Sequence, residues 1–255
     1  MNALDTREGG PGAAWRADPY NDALRAGRGP LFLRRSDGWL LPLEVERWCE
    51  APDTADWSVL GRCRGAVLDI GCGPGRLVAA LAARGHRALG IDVSPEAVAR
   101  TVRSGASALC RSVFDPLPGE GRWDTSLLID GNIGIGGDPT ALLRRMAAVT
   151  APGGVLIAEC AALEVDERCE VRVVDGHGSR GAPFEWARVG VRALHAHAEA
   201  SGWGTLRQWT VQGRHFVELG RGPQLPVRRD LSRFMTTTNA VISKMAASTS
   251  ARLRP

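Results

Sequence analysis

The chemistry-bearing stretch is Val67-Leu68-Asp69-Ile70-Gly71-Cys72-Gly73-Pro74-Gly75-Arg76-Leu77. A short apolar run enters a glycine-rich turn, and an apolar helix pattern leaves it. Glycine at such a turn lets backbone approach a ligand where a Cβ would clash. The next apolar run, Ala88–Asp92, ends in an acid, placed where it can accept both hydroxyls of a ribose. Glycine turn and acid together describe a site for a nucleotide-like cofactor.

Two cofactor classes use that design. A dinucleotide site has the pattern G-x-G-x-x-G, with the pyrophosphate on the helix N-terminus. Here the third glycine comes one residue early, as G-x-G-x-G with Pro74 inside, and Asp69 precedes the turn. An acid beside the loop repels a pyrophosphate and suits an ammonium group. S-adenosylmethionine carries an ammonium and a sulfonium and has no phosphate, so the electrostatics favour it over NAD.

The stretch Val67–Leu77 closely resembles the first motif of class I S-adenosylmethionine-dependent methyltransferases. The resemblance runs over about residues 66–219. It takes in Gly90-Ile91-Asp92-Val93-Ser94, similar to the family's ribose-binding motif. Trp123-Asp124-Thr125 to Asp130 is similar to its fourth strand, and Ala151-Pro152-Gly153-Gly154-Val155 to the turn entering its fifth. It implies an α/β fold, a seven-stranded Rossmann-like sheet with helices on both faces, whose last strand is antiparallel and paired through a turn at Gly213. It implies that Gly71, Cys72, Gly73 and Gly75 line the methionyl part of S-adenosylmethionine, with Asp69 beside them. Asp92 and Val93 would hold the ribose, and Ser112, Val113 and Phe114 would flank the adenine, with core packing an equal reading for Phe114.

The acceptor side departs from the common pattern. The fourth strand leads into Asp130-Gly131-Asn132-Ile133-Gly134-Ile135-Gly136-Gly137, rich in glycine where many relatives carry bulkier motifs. Asp130 and Asn132 are the polar groups best placed there to orient an acceptor, with Asp130 also near the cofactor; a plain loop is the competing reading. Tyr20, the only tyrosine, falls in an N-terminal segment where such enzymes often carry a lid, and could bond cofactor or acceptor or simply pack. A carboxylate or thiolate acceptor needs no base, and positioning alone then lowers the barrier by several kcal/mol. A hydroxyl or amine calls for a base. The candidates are His177, His195, His197, His215 and Glu159, each with a structural role as the competing reading.

Alternating strand and helix patterns from Ala66 onward position these residues. Leu77–Arg84 reads as a helix closed by Gly85. Ser94-Pro95 and Asp138-Pro139 open further helices, with a cap followed by Pro at the first position. Strands are expected at Ala106–Cys110, Thr125–Asp130 and, after Pro152-Gly153-Gly154, at Val155–Cys160. Arg168–Val174 and Phe184–Val189 read as a hairpin. Val191–Ser201 reads as a helix, and Leu206–Val211 with His215–Leu219 as a strand pair. Upstream, Trp15, Tyr20, Phe32, Trp39, Trp48 and Trp57 crowd a segment broken by Gly and Pro, with short helices at Asn21–Ala26 and Glu44–Glu50. Asp230–Met245 reads as an amphipathic helix capped by Asp230, whose apolar face needs cover from the acceptor mouth, a second subunit in a homodimer, or a membrane, with protein favoured. Three parts follow: a lid segment at 1–60, a cofactor-binding domain at 61–220 with the hairpin insertion at about 165–190, and a basic tail at 221–255.

Composition bounds the rest. At 255 residues, 44% apolar and 24% charged, the chain is an ordinary globular one, which excludes coiled coil, collagen and wholesale disorder. The net charge is 32 − 28 = +4, of which the tail after Gly220 carries +6 (seven basic residues and Asp230), leaving −2 for the body. A body without basic bias, and the absence of an Asn/Asp-Pro-Pro-aromatic signature, speak against a nucleic-acid substrate. No run of eighteen apolar residues suggests a membrane span, and the polar start lacks a secretory pattern, so a cytoplasmic location is expected. The six cysteines show no C-x-x-C and no His at ligand spacing, so no metal site is expected; buried free thiols are the first reading, Cys110 and Cys160 among them. The function these readings give is methyl transfer to O, N or C of a small molecule, with a specialised metabolite as one class. A peptide or protein carboxylate acceptor and a non-catalytic regulatory module are the alternatives.

Overall fold

The structure, a computed structural model, describes residues 18–178 and 180–221. The tail and its expected helix at Asp230–Met245 lie outside the described residues, as does Trp15.

Seven strands form the main sheet in the order β10-β11-β7-β6-β3-β4-β5. They are β3 (Val67–Ile70), β4 (Ala88–Asp92), β5 (Ala108–Cys110), β6 (Trp123–Leu128), β7 (Thr150–Cys160), β10 (Trp203–Val211) and β11 (Arg214–Arg221). β3 to β7 run parallel, while β11 lies antiparallel between β7 and β10. The β10–β11 turn is Gln212-Gly213, both at positive φ, which suits a two-residue hairpin.

Strand alternation sorts the core onto two faces. Leu156 and Ala158 of β7 join a cluster with Leu142, Leu143 and Met146 of α6 (Pro139–Val149) and Leu194 of α7 (Val191–Glu199). Ile157, between them, points to the opposite face, with Leu77 and Leu81 of α4 (Arg76–Ala83) and Val59 of α3 (Thr54–Leu60). The local signals act as their chemistry dictates. Ser94 and Asp138 cap α5 (Pro95–Arg103) and α6 by accepting from Ala97 and Ala141. α4 ends with Gly85 at φ 81°, where the amides of Gly85 and His86 reach back to Ala82 and Leu81.

A second sheet, β2-β1-β8-β9, was not foreseen as a sheet. The expected hairpin is present as β8 (Asp166–Asp175) and β9 (Phe184–Val189). Its partner is the N-terminal segment, through β1 (Leu31–Arg35) and β2 (Leu40–Pro42), with Leu33 opposite Val173. Lid and insertion are therefore one cap with its own core. Leu31, Leu33, Val171, Val173 and Phe184 pack there with Leu24 of α1 (Asp18–Ala26) and Val45 of α2 (Val45–Cys49).

Two strand boundaries and the burial of one thiol are among the differences from expectation. β6 ends at Leu128 rather than Asp130, because Asp130 takes φ 58°, which no strand tolerates. β7 begins at Thr150 and runs through Pro152-Gly153-Gly154, which were expected to precede it. Cys110 is exposed, not buried, because β5 is the edge strand; Cys160 is buried, and all six thiols are free. No described helix is long and apolar enough to cross a membrane.

Candidate active site

In the parallel part of the sheet β4 and β5 follow β3 on one side and the chain then crosses back to β6 on the other, which opens a crevice at the strands' C-terminal ends. A pocket of about 970 Å³, open to solvent at its mouth, fills that crevice and extends under the cap. Gly71, Cys72, Gly73, Asp92, Val93, Ser112, Val113, Phe114, Asp130, Asn132 and Tyr20 all line it, so the structure brings together eleven of the residues singled out in the sequence. Asp69 and Gly75 are absent from the lining.

The glycine loop is held open by its neighbours. Gly71 sits at φ 68°, and a Cβ there would lie 2.6 Å from the Asn132 side-chain nitrogen. That nitrogen donates to the carbonyls of Ile70 at 2.8 Å and Gly71 at 3.0 Å. Both amide protons of Asn132 are thereby spent on the loop, and Oδ1 is the atom left to meet a ligand. Gly75 serves packing instead: at φ 88° its Cβ would fall 2.4 Å from Thr101 Oγ1, whose hydroxyl donates to the carbonyls of Gly73 and Ala97. Thr101 is thus a loop-holding residue that no sequence motif marks.

Asp92 is 7% exposed. Its Oδ2 accepts the Gly73 amide at 2.9 Å and its Oδ1 the Ser94 amide at 2.8 Å. Burial raises its pKa above the usual carboxylate range, while the Ser94 and Gly73 amides pull it back. Each oxygen keeps lone-pair capacity toward the pocket, which is what a pair of ribose hydroxyls requires. Asp69, in β3 and 3% exposed, is different: burial pushes its carboxyl up to about 8, against the pull of Arg76, so at neutral pH it holds its proton. The negative charge assumed beside the loop in the sequence argument is therefore largely absent in this state. Phe114 is 40% exposed and faces the pocket, so it is not core.

Asp130 lies at the centre of an ion network that the sequence did not disclose. Its carboxylate receives Arg76 Nη1 at 2.8 Å, Arg47 Nη2 at 2.8 Å and Arg214 Nη2 at 3.2 Å. Arg76 also forks onto the fully buried Asp56 of α3 at 2.8 and 2.9 Å. Arg214 bonds Glu159 through both oxygens at 2.8 Å and Asp56 at 2.9 Å, and Glu159 accepts the Asp130 amide at 2.7 Å. The arginines more than offset burial, so the Asp130 carboxyl titrates below its usual value and Asp56 is lowered to about 2. Asp130 is accordingly ionised and engaged by arginine, and Glu159 accepts from Arg214.

The remaining wall comes from the cap: Tyr20, Leu43, Trp48, Phe184 and Trp186, with Ile135 below. Tyr20 packs edge-on to Trp48 at 6.5 Å between centroids. Burial first, then the charges of Asp92 and Cys72, raise the Tyr20 phenol well above its usual range, so it stays protonated. Among the described residues no histidine lines the pocket. His197 bonds Thr140 and Asp166, and His215 bonds Thr210, which gives both a structural role; His177 sits exposed in the β8–β9 turn.

Residues 67–154 match the family described as a methyltransferase domain. The fold is also that of known structures. A S-adenosylmethionine-dependent methyltransferase from Bacteroides fragilis, crystallised with S-adenosyl-L-homocysteine, superposes with a TM-score of 0.68 at 19% identity, covering 84% of this chain and 96% of that one. The CcbJ methyltransferase from Streptomyces caelestis matches at TM-score 0.52 and 12% identity, over 70% of this chain and 96% of its own. A S-adenosylmethionine-dependent methyltransferase from Methanosarcina mazei matches at 0.52 and 13%, over 68% and 99%.

Proposed function

We propose that this chain, a class I S-adenosylmethionine-dependent methyltransferase, transfers the methyl group to O, N or C of a small-molecule acceptor enclosed between the main sheet and the cap. The observation that carries the reading is the two-ended pocket. The glycine loop and Asp92 form one end, and the cap's aromatic side chains form the other. A crevice with a cofactor end and an aromatic end suits a cofactor together with a small acceptor.

The residues fit S-adenosylmethionine: Gly71 and Gly73 leave backbone bare where the methionyl part would lie, Asp92 would take the ribose, and Ser112, Val113 and Phe114 would flank the adenine. Bound there, the cofactor supplies an electrophilic methyl on a sulfonium. The chain's own part is positional. Asn132 fixes the glycine loop through Ile70 and Gly71, and Thr101 fixes it from α5. The cap covers the acceptor end, and the Tyr20 hydroxyl stands beside Gly73, its oxygen 3.8 Å from where a Cβ on that glycine would sit. Holding an acceptor in line removes the entropy of encounter, which is a large part of the barrier to a displacement.

Calorimetry with S-adenosylmethionine, S-adenosylhomocysteine and NAD tests the cofactor half: the first two bind and NAD does not. Asp92→Ala should weaken S-adenosylhomocysteine binding about tenfold to a hundredfold, from the loss of charged hydrogen bonds of about 1.5–3 kcal/mol. Unchanged affinity in a folded variant would remove Asp92 from the site. Mass spectrometry of labelled-methyl transfer across small molecules and peptides tests the acceptor half, and transfer only to peptides would overturn it.

A further inference from the structure

Three arginines stand uncommitted on the outer face of the cap. Alternation sends Leu31 and Leu33 of β1 and Val171 and Val173 of β8 into the cap's own core, which leaves Arg34 and Arg172 pointing out, both exposed. The strand register sets these two directly opposite one another. Like charges in that position repel and cost stability. A third arginine joins them, because an antiparallel bridge holds Arg180 against Val174, the next residue after Arg172 on that face. Among the described residues, no hydrogen bond or ion pair engages Arg34, Arg172 or Arg180. The three line one groove together with Arg35, Ser36 and Glu170. Arg35 is already paired with Asp37 at 2.6 Å. Glu170 is the one acid in that lining, and across the strands it faces another acid, Glu185 of β9. The uncommitted charge of the groove is thus 3 − 1 = +2. No residue of this groove lines the cofactor crevice.

We propose that this groove is a second binding site, for a small phosphate monoester, separate from the site of methyl transfer. A phosphate monoester carries close to two negative charges at neutral pH and three acceptor oxygens. That charge matches the surplus in the groove. Guanidinium forks engage such oxygens in pairs, and Ser36 adds a hydroxyl donor. A sulfate ester or a single carboxylate brings one charge and leaves part of the repulsion in place. The opposed arginines therefore cost stability in the free protein, and a dianion between them removes that cost. Arg34 belongs to the N-terminal segment, while Arg172 and Arg180 belong to the insertion that begins β8. The ligand accordingly ties the two parts of the cap together from the face opposite their shared core.

The test is binding to the full chain in a phosphate-free buffer of low ionic strength, where exposed charges are little screened. Ligand-observed NMR ranks four probes of similar size: phenyl phosphate, phenyl sulfate, phthalate and benzylammonium. Phenyl phosphate should bind at least about threefold more tightly than phenyl sulfate or phthalate, and benzylammonium should not bind. Arg34→Gln and Arg172→Gln should each weaken phenyl phosphate about three- to tenfold. Arg192→Gln, at an exposed arginine of α7, should leave its affinity unchanged. Thermal unfolding gives a second readout. Without ligand both groove variants should melt no lower than the parent, since repulsion is relieved, and phenyl phosphate should raise the melting temperature of the parent more than theirs. Phenyl phosphate bound no better than phenyl sulfate or phthalate, tightest binding by benzylammonium, or no binding by any probe would overturn the proposal. So would full affinity in the groove variants, an equal loss in Arg192→Gln, or ligand-free groove variants that melt below the parent. Because the groove shares no residue with the cofactor crevice, these results stand apart from whether the chain binds S-adenosylhomocysteine.

Discussion

Asp130→Ala separates two roles that one residue cannot fill at once. In the structure its carboxylate accepts four hydrogen bonds from three guanidinium groups, with Arg76 5% and Arg214 14% exposed. Charged hydrogen bonds contribute about 1.5–3 kcal/mol each but do not add. The better guide is the removal of one partner from a buried ion pair, which costs about 3–5 kcal/mol because the other charge is stranded. Asp56 and Glu159 still balance Arg76 and Arg214, and Arg47 can turn to water, so the lower half of that range is expected, about 3 kcal/mol. That is a large share of a domain's total stability of about 5–15 kcal/mol. Equilibrium urea unfolding followed by tryptophan fluorescence reads it directly. S-adenosylhomocysteine affinity should fall as well, since Asp130 ties α4, which follows the glycine loop, to α2 of the cap. If Asp130→Ala unfolds within about 1 kcal/mol of the parent while turnover collapses, the carboxylate acts on the acceptor and the network account is wrong.

Further outcomes follow from neighbouring groups. Asp56 titrates at about 2 when folded against 3.8 when free, so its contribution is whole above pH 4 and disappears as pH falls toward 2; acid unfolding of Asp56→Asn should lose that part of its pH dependence. Asp69 has the opposite sign: raised to about 8, it favours the folded state below 3.8 and loses that contribution as pH rises to 8, so the stability of Asp69→Asn relative to the parent should grow between pH 4 and 8. Gly75→Ala combines a strained φ of 88° with a contact at 2.4 Å on Thr101, and should lower the unfolding free energy by about 2–4 kcal/mol; a melting temperature equal to the parent's would contradict that packing. Asn132→Ala frees the Ile70 and Gly71 carbonyls, and should weaken cofactor binding and turnover together rather than turnover alone, as calorimetry beside a kcat measurement would show.

What could be read from the sequence was what depends on local chemistry. Ser94-Pro95 and Asp138-Pro139 start helices because a short side chain before proline satisfies an amide and presets φ, whatever the tertiary context. The glycine loop with Asp92 was visible for a similar reason, since its backbone needs glycines in a fixed order after a strand. What escaped depends on distant pairing. β1 has five residues and β2 three, too short for a periodicity, and their sheet partner β8 begins at Asp166. The network escaped because nothing local marks a charged residue as buried. Arg76 stands beside the glycine loop and could have been suspected there, but Asp56 lies in an unforeseen helix and Arg214 in the last strand. Asp130 and Asn132 were noticed as polar groups near the chemistry, yet their position did not reveal that the Asp130 carboxylate and the Asn132 amide nitrogen are spent on protein atoms.

The same network explains how an apolar cap can be set in a defined place over the sheet. Apolar contact is non-directional, so the cluster around Leu33, Val173 and Phe184 stabilises the cap without fixing how its α2 helix sits over the sheet. Guanidinium–carboxylate pairs are directional, and their fork geometry admits few arrangements. Arg47 carries one such pair from the cap to Asp130, and Arg76 and Arg214 hold Asp130 from the sheet side. Trp48 follows Arg47 in the chain and lines the pocket, so its place depends on the carboxylate that opens the loop after β6. The energy of the network is modest beside that of the core. Its consequence for the reaction is positional, because a displacement in line with the S–C bond tolerates little error in where the acceptor sits.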